Sequence, residues 1–197
     1  MRRVLQTSSL LVLVIAAGCG GGSKSAAAPA SPTAVKVVQV VPLEQLLVLE
    51  MNGPPAVDTS VNITPGVARI IIMRHAAPDN NVFAELSFPA SVFAADSGRD
   101  SVMVTLKARP GVYGLTIGSS AKFGKGARIT FKYPVHFKAS PEALARYGTV
   151  TAYEKALSIA AEQEDGRFGQ LVSTRPSTDN LSGPIPAAGT YLAAASK

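Results

Sequence analysis

The chain is poor in the residues on which much protein chemistry depends: one cysteine, no tryptophan, two histidines, and only 16% charged side chains among 197 residues. A single cysteine excludes an internal disulfide. With His75 and His136 as the only histidines, it also excludes a histidine/cysteine zinc site. No carboxylates stand at calcium-loop spacing, and there is no Gly-x-Ser-x-Gly elbow, phosphate loop or dinucleotide fingerprint, so neither metal nor cofactor is expected. The lack of tryptophan counts against an aromatic platform for carbohydrate. Long apolar runs are missing too. Leu10 to Ala17 falls short of the roughly 20 residues a membrane helix needs, and the polar Gln6-Thr7-Ser8-Ser9 prevents its extension.

What is present begins with an export pattern. Arg2 and Arg3 precede the apolar Leu10–Ala17, and Ala16, Ala17 and Gly18 are the small residues before Cys19. Residues 1–18 read as a signal peptide cleaved between Gly18 and Cys19. The phrase Ala-Ala-Gly-Cys resembles the processing site of bacterial lipoproteins, with Ala16 where leucine is usual. The resemblance implies that the Cys19 thiol takes a diacylglyceryl group and leaves the new amino terminus open to acylation as well, with palmitate among the chains. Two or more chains, at about 0.8 kcal/mol per buried methylene, make a stable anchor where one is marginal. The partner implied is membrane lipid. Gly20 is not the aspartate that signals inner-membrane retention, so in a two-membrane cell envelope the outer membrane is favoured.

With Arg2 and Arg3 gone, 17 basic side chains face 13 acidic ones and the formal charge falls from +6 to +4. The basic residues are dispersed and aromatics few, which speaks against nucleic acid. From Gly20 to Thr33 the composition is Gly, Ser, Ala and Pro with one lysine, too poor in bulky apolar groups to bury anything. Residues 19–34 therefore read as a flexible tether behind the cysteine that the resemblance would lipidate, able to hold a domain on the order of 20 Å from the bilayer.

Residues 35–197 read as one all-β domain, an antiparallel β-sandwich with one short helix. Val35–Val41 and Leu46–Met51 are strand-like on either side of Pro42. Val67–Met73, Val82–Phe88, Ser101–Ala108, Tyr113–Ile117 and Ala127–Tyr133 follow at the spacing of a sandwich, with Val102, Val104 and Leu106 on one face. Ser140-Pro141-Glu142 through Gly148 predicts a helix of about two turns, with a capping serine, proline at its first position and glycine past its end. Strands resume at Ala156–Gln163, Arg167–Thr174, Asn180–Ile185 and Thr190–Ala194. Thr149–Ala161 also has the composition of a helix.

Three phrases carry a second resemblance. Phe88-Pro89-Ala90-Ser91-Val92-Phe93, Asp100-Ser101-Val102-Met103-Val104-Thr105-Leu106 and Phe123-Gly124-Lys125-Gly126-Ala127-Arg128-Ile129-Thr130-Phe131 resemble a ZU5-type, immunoglobulin-like sandwich over residues 62–197. Ser91-Val92 stands for the usual Gly-Ala, and Gly126-Ala127 for Pro-Val. The resemblance implies protein interaction and assembly. The self-cleaving His-Phe-Ser of some relatives is not matched, because Lys138 follows His136-Phe137, and no catalytic residue is carried over.

The sharpest chemical candidate is Arg69-Ile70-Ile71-Ile72-Met73-Arg74-His75-Ala76, which resembles the opening of the histidine phosphatases. A nucleophilic imidazole at a strand end would need nearby cations for phosphoryl transfer. That site also requires a second histidine, and His136 lies in Tyr133-Pro134-Val135-His136-Phe137, which reads as a strand. The blander expectation is a strand ending in two surface polar groups. Glu162-Gln163-Glu164-Asp165-Gly166 reads as a solvated hairpin turn rather than an ion site. Tyr113, Tyr133, Tyr147, Tyr153 and Tyr191 with Arg109, Arg128 and Arg146 have the composition of a recognition surface, though rings packed at strand edges account for them equally. The expectation is therefore a non-catalytic binding or structural module with an envelope protein as partner; the alternative is a phosphoryl-transfer enzyme centred on His75.

Overall fold

The computed structural model describes residues 35–96 and 98–197. Contacts divide the chain between Thr33 and Ala34, and everything below belongs to the second unit. The expected signal peptide (residues 1–18), the cleavage expected between Gly18 and Cys19, the lipidation expected at Cys19 and the tether expected over 19–34 fall on residues outside the described ones.

The fold is all-β and antiparallel. Its strands are β1 (Val37–Val41), β2 (Leu46–Val48), β3 (Glu50–Met51), β4 (Thr59–Ile63), β5 (Arg69–Arg74), β6 (Val82–Phe88), β7 (Val102–Ala108), β8 (Gly114–Ser119), β9 (Arg128–Lys132) and β10 (Phe137–Lys138). Two helices follow, α1 (Pro141–Tyr147) and α2 (Val150–Ala156), then β11 (Ser158–Glu162), β12 (Phe168–Leu171), β13 (Asn180–Pro184) and β14 (Gly189–Ser196). Leu43–Gln45 and Ala90–Asp96 form 3-10 turns.

Eight strands make one sheet in the order β1-β12-β11-β14-β8-β7-β4, with β2 also on β14; four make a second, β13-β9-β6-β5. Strand periodicity sends alternate side chains inward. Across the small sheet, Ile71, Leu86 and Ile129 line up in one row and Met73, Ala84, Phe131 and Leu181 in the next. From the large sheet come Val102, Val104, Leu106, Leu115, Ile117, Ile159 and Ala193, joining the same buried cluster. This shared core makes the two sheets a sandwich. Gly183 in β13 permits their close approach, since a Cβ there would sit 2.6 Å from Ile159 Cγ1.

The expected helix is present: Ser140 Oγ accepts from the Ala143 N–H at 3.1 Å, Pro141 opens the helix, and Gly148 ends it at φ 75°. A single helix was too few. Thr149 Oγ1 caps a second at the Ala152 N–H, 3.1 Å away, so the chain is helical to Ala156 and extended only from Ser158. Arg175 holds its far end, donating to the carbonyls of Glu154 and of Leu157, the latter at 3.0 Å, and to the Tyr133 hydroxyl at 2.7 Å. Those carbonyls are the acceptors a helix end leaves without an internal donor. Leu46–Met51 is likewise not one strand: it breaks at Leu49, so that β2 joins the large sheet and β3 pairs with β10 in a separate ribbon.

Candidate functional site

The two histidines are brought together. The end of β5 is covered by the loop Asn52–Val57: Ala56 bridges His75, the Val57 N–H donates to the Arg74 carbonyl at 2.9 Å, and the Ala76 N–H donates to the Pro55 carbonyl at 2.9 Å. His75 is therefore 1% exposed, a correction to the surface position expected for it, whereas Arg74 stays exposed. A carbonyl only accepts, so the 2.8 Å contact between His75 Nδ1 and the Pro54 oxygen places a proton on Nδ1.

His136 does not lie in a strand, as expected from its apolar neighbours. Pro134–His136 form a turn, and β10 begins only at Phe137. The Asn52 N–H donates to the His136 carbonyl at 2.9 Å, continuing the β3–β10 ribbon into the site. The imidazole meets His75 edge to face, with ring centroids 4.7 Å apart, and its Nε2 pairs with Asp79 Oδ2. Asp79 was legible only as a turn residue; its other oxygen accepts from Asn81 Nδ2. Gly53 lies against the His136 ring, where a Cβ would stand 2.3 Å from Cγ.

Aromatic rings complete the cluster. Phe83 meets His75 at 5.5 Å and stacks on Tyr113 at 5.5 Å, and Tyr113 reaches His75 at 6.5 Å. The Tyr113 hydroxyl is buried without a hydrogen-bond partner among the described residues. Burial pushes its phenol far above the ordinary value and the Asp79 carboxylate adds to the effect; the His136 backbone beside it opposes the shift, without the geometry of a hydrogen bond.

Chemically the cluster is tied up. One imidazole is bound to a backbone carbonyl and the other to a carboxylate. Of the cations expected near His75, Arg74 donates to the Asn80 carbonyl at 3.0 Å, while Arg69 lies at the opposite end of β5. Among the described residues no group of three or more His, Cys, Asp or Glu has the arrangement to hold a metal ion. An open cavity of about 530 Å³ lies elsewhere, lined by Ser119, Ser120, Lys122, Phe123 and Ala187, with Lys122 the only charged group among the described residues that line it.

The tyrosines and arginines do not gather on one face. Tyr113, Tyr133, Tyr153 and Tyr191 are buried, and Arg109, Arg128 and Arg146 are exposed. The Tyr153 hydroxyl donates to the Leu47 carbonyl at 3.0 Å, and that of Tyr191 to the Ala187 carbonyl at 2.6 Å. Burial raises the Tyr133 and Tyr153 phenols and pushes Tyr191 up to about 12. Glu164–Gly166 forms the turn between β11 and β12. Hydrogen bonds from Arg167 hold the Asp165 carboxyl below the usual carboxylate range.

Compared with protein-family models, curated proteins and solved structures, the chain matches none. Among the described residues no helix is long and apolar enough to cross a membrane.

Proposed function

We propose that the chain is an exported lipoprotein, anchored through acylated Cys19, whose sandwich is a non-catalytic binding or structural module of the cell envelope. The observation that carries the non-catalytic reading is the state of the histidine cluster: His75 is sealed beneath the Asn52–Val57 loop, and His136 is paired with Asp79. A nucleophilic imidazole needs an approach path and cations around the transferring group. Here the protein spends these groups on one another.

The lipid anchor rests on Ala16-Ala17-Gly18-Cys19 and on the Gly/Ser/Ala/Pro segment leading to the folded unit. The ZU5-type resemblance favours a protein as the partner. In that reading, Phe88 closes β6, residues Ala90–Asp96 turn the chain, and the Val102–Ala108 strand follows.

The test is metabolic labelling with palmitate in a bacterial host, followed by cross-linking of the envelope. Label is expected on the natural chain and not on the Cys19→Ala form, and an envelope protein is expected to be captured with the former. Label persisting in the alanine variant refutes the anchor. Hydrolysis of a phosphomonoester, lost in His75→Asn at unchanged stability, refutes the non-catalytic reading.

A further inference from the structure

The open cavity of about 530 Å³ is walled by two loops, residues 120–127 between β8 and β9 and residues 185–188 between β13 and β14. That is the size of a small-molecule site. Both loops are pinned in place. The Gly124 N–H donates to the Val92 carbonyl at 2.7 Å, and a Cβ on Gly124 would stand 2.8 Å from that same oxygen, so the turn sits as close as glycine allows. The Ile185 N–H donates to the Ala127 carbonyl at 2.8 Å and ties one loop to the other. Phe123 supplies an aromatic wall. Its ring meets Phe93 at 5.5 Å and Phe88 at 5.8 Å, both edge to face, which fixes it against the core.

The polar groups that this lining leaves free are donors. The Ser120 carbonyl accepts from Arg99 at 3.2 Å, the Ala121 carbonyl from the Ser119 hydroxyl at 2.7 Å and the Ala187 carbonyl from the Tyr191 hydroxyl at 2.6 Å. These acceptors are already engaged. Ser120 Oγ accepts from the Met103 N–H at 3.0 Å, and its own proton has no acceptor among the described residues. Lys132, Lys138 and Lys197 each pair with a glutamate, whereas among the described residues Lys122 has no carboxylate partner. Around these two donors the surface is apolar, formed by Phe123, Pro186 and Ala188.

We propose that the cavity binds a small organic carboxylate with an apolar body, its head on the Lys122 ammonium and the Ser120 hydroxyl and its body on Phe123, Pro186 and Ala188. A carboxylate only accepts hydrogen bonds, which suits a lining whose free groups donate and whose charge is positive. A cationic ligand would meet Lys122 with no acidic group among the described lining residues to offset it, and a neutral one would leave the ammonium unpaired. Loops already held by their own hydrogen bonds lose little freedom on binding. The site is independent of acylated Cys19, none of its residues taking part in the anchor.

Amide NMR of the full chain tests the site, with 3-phenylpropionate as the probe. Shifts are expected at residues 119–123 and at Ala187 and Ala188, with a dissociation constant on the order of 1 mM. Two further probes separate the parts: 3-phenylpropan-1-ol keeps the body without the charge, and acetate keeps the charge without the body. Both should bind at least about threefold more weakly. Lys122→Gln should weaken 3-phenylpropionate about three- to tenfold and leave the alcohol unaffected, and Lys122→Arg should restore the natural affinity. Ala188→Phe puts a ring into the cavity from an exposed position and should abolish binding of the acid while leaving the melting midpoint unchanged. No shifts at these amides, shifts centred elsewhere on the domain, equal binding of acid and alcohol, or a Lys122→Gln chain that holds the acid as tightly as the natural one overturns the proposal.

Discussion

Replacing Gly53 with alanine adds one methyl group to a loop of the histidine cluster, and its effect follows from geometry. The new Cβ would lie 2.3 Å from Cγ, 2.5 Å from Nδ1 and 2.6 Å from Cδ2 of His136, distances no relaxed structure tolerates. Gly53 is not in the left-handed region, so the backbone itself accepts alanine. The ring has to move, and with it go the edge-to-face contact with His75 and the pair with Asp79. Overpacking costs roughly 1–3 kcal/mol and a lost charged hydrogen bond adds about as much, so a total of about 2–6 kcal/mol is expected. For a unit of this size the melting midpoint should drop on the order of 5–20 °C. The decisive measurement is a double-mutant cycle by urea unfolding, followed through tyrosine ellipticity, which no tryptophan obscures. In a His136→Ala background the methyl has no ring to meet, and Gly53→Ala should become neutral or stabilise by about 0.4–1 kcal/mol through the unfolded chain. The coupling should be at least about 2 kcal/mol. An equal cost in both backgrounds would refute the steric argument.

Two tyrosines with opposite hydroxyl environments make a second comparison. Tyr113→Phe removes a buried hydroxyl that has no partner and should be neutral or stabilising by up to about 1 kcal/mol, whereas Tyr153→Phe loses its bond to Leu47 and should cost about 1 kcal/mol in the same unfolding assay. Alkaline pH supplies a third. Tyr113, Tyr133, Tyr153 and Tyr191 ionise later in the fold than at their ordinary value of 10.0, so above that pH the native state binds more protons than the unfolded one. Stability should accordingly be insensitive to these phenols below pH 10.0 and fall above it, by about 1.4 kcal/mol per pH unit for each buried phenol, Tyr191 contributing up to about pH 12. Tyrosinate absorbance should rise in step with unfolding, and titration of all five tyrosines near pH 10.0 in the folded state would contradict the burial argument.

Local pattern revealed the sandwich wherever local forces set the structure. Val82–Phe88 was readable to the residue because a turn precedes it and Pro89 follows, and Val102, Val104 and Leu106 alternate as an inward face must. At Thr149–Ala156 two local signals competed. The Thr149 cap and the Arg175 clamp decided for a helix, and Arg175 arrives from 21 residues beyond Glu154. The histidine cluster was illegible for the same reason. Asp79 and His136 are separated by 57 residues, and the lid over His75 comes from a loop 21 residues earlier. His75 looked like a surface group because the sequence around it does not record what lies on top.

The place of β14 bears on how the domain is assembled in time. This last strand sits at the centre of the large sheet, with β11 on one side and β8 and β2 on the other. Remove it, and the sheet divides into two three-stranded ribbons, β1-β12-β11 and β8-β7-β4, with β2 paired to nothing. A chain delivered amino end first therefore cannot complete the large sheet until Gly189–Ser196 emerges to join the two ribbons. Such long-range closure makes folding slow. β1, made first, likewise has no neighbour in its sheet until β12 emerges more than a hundred residues later.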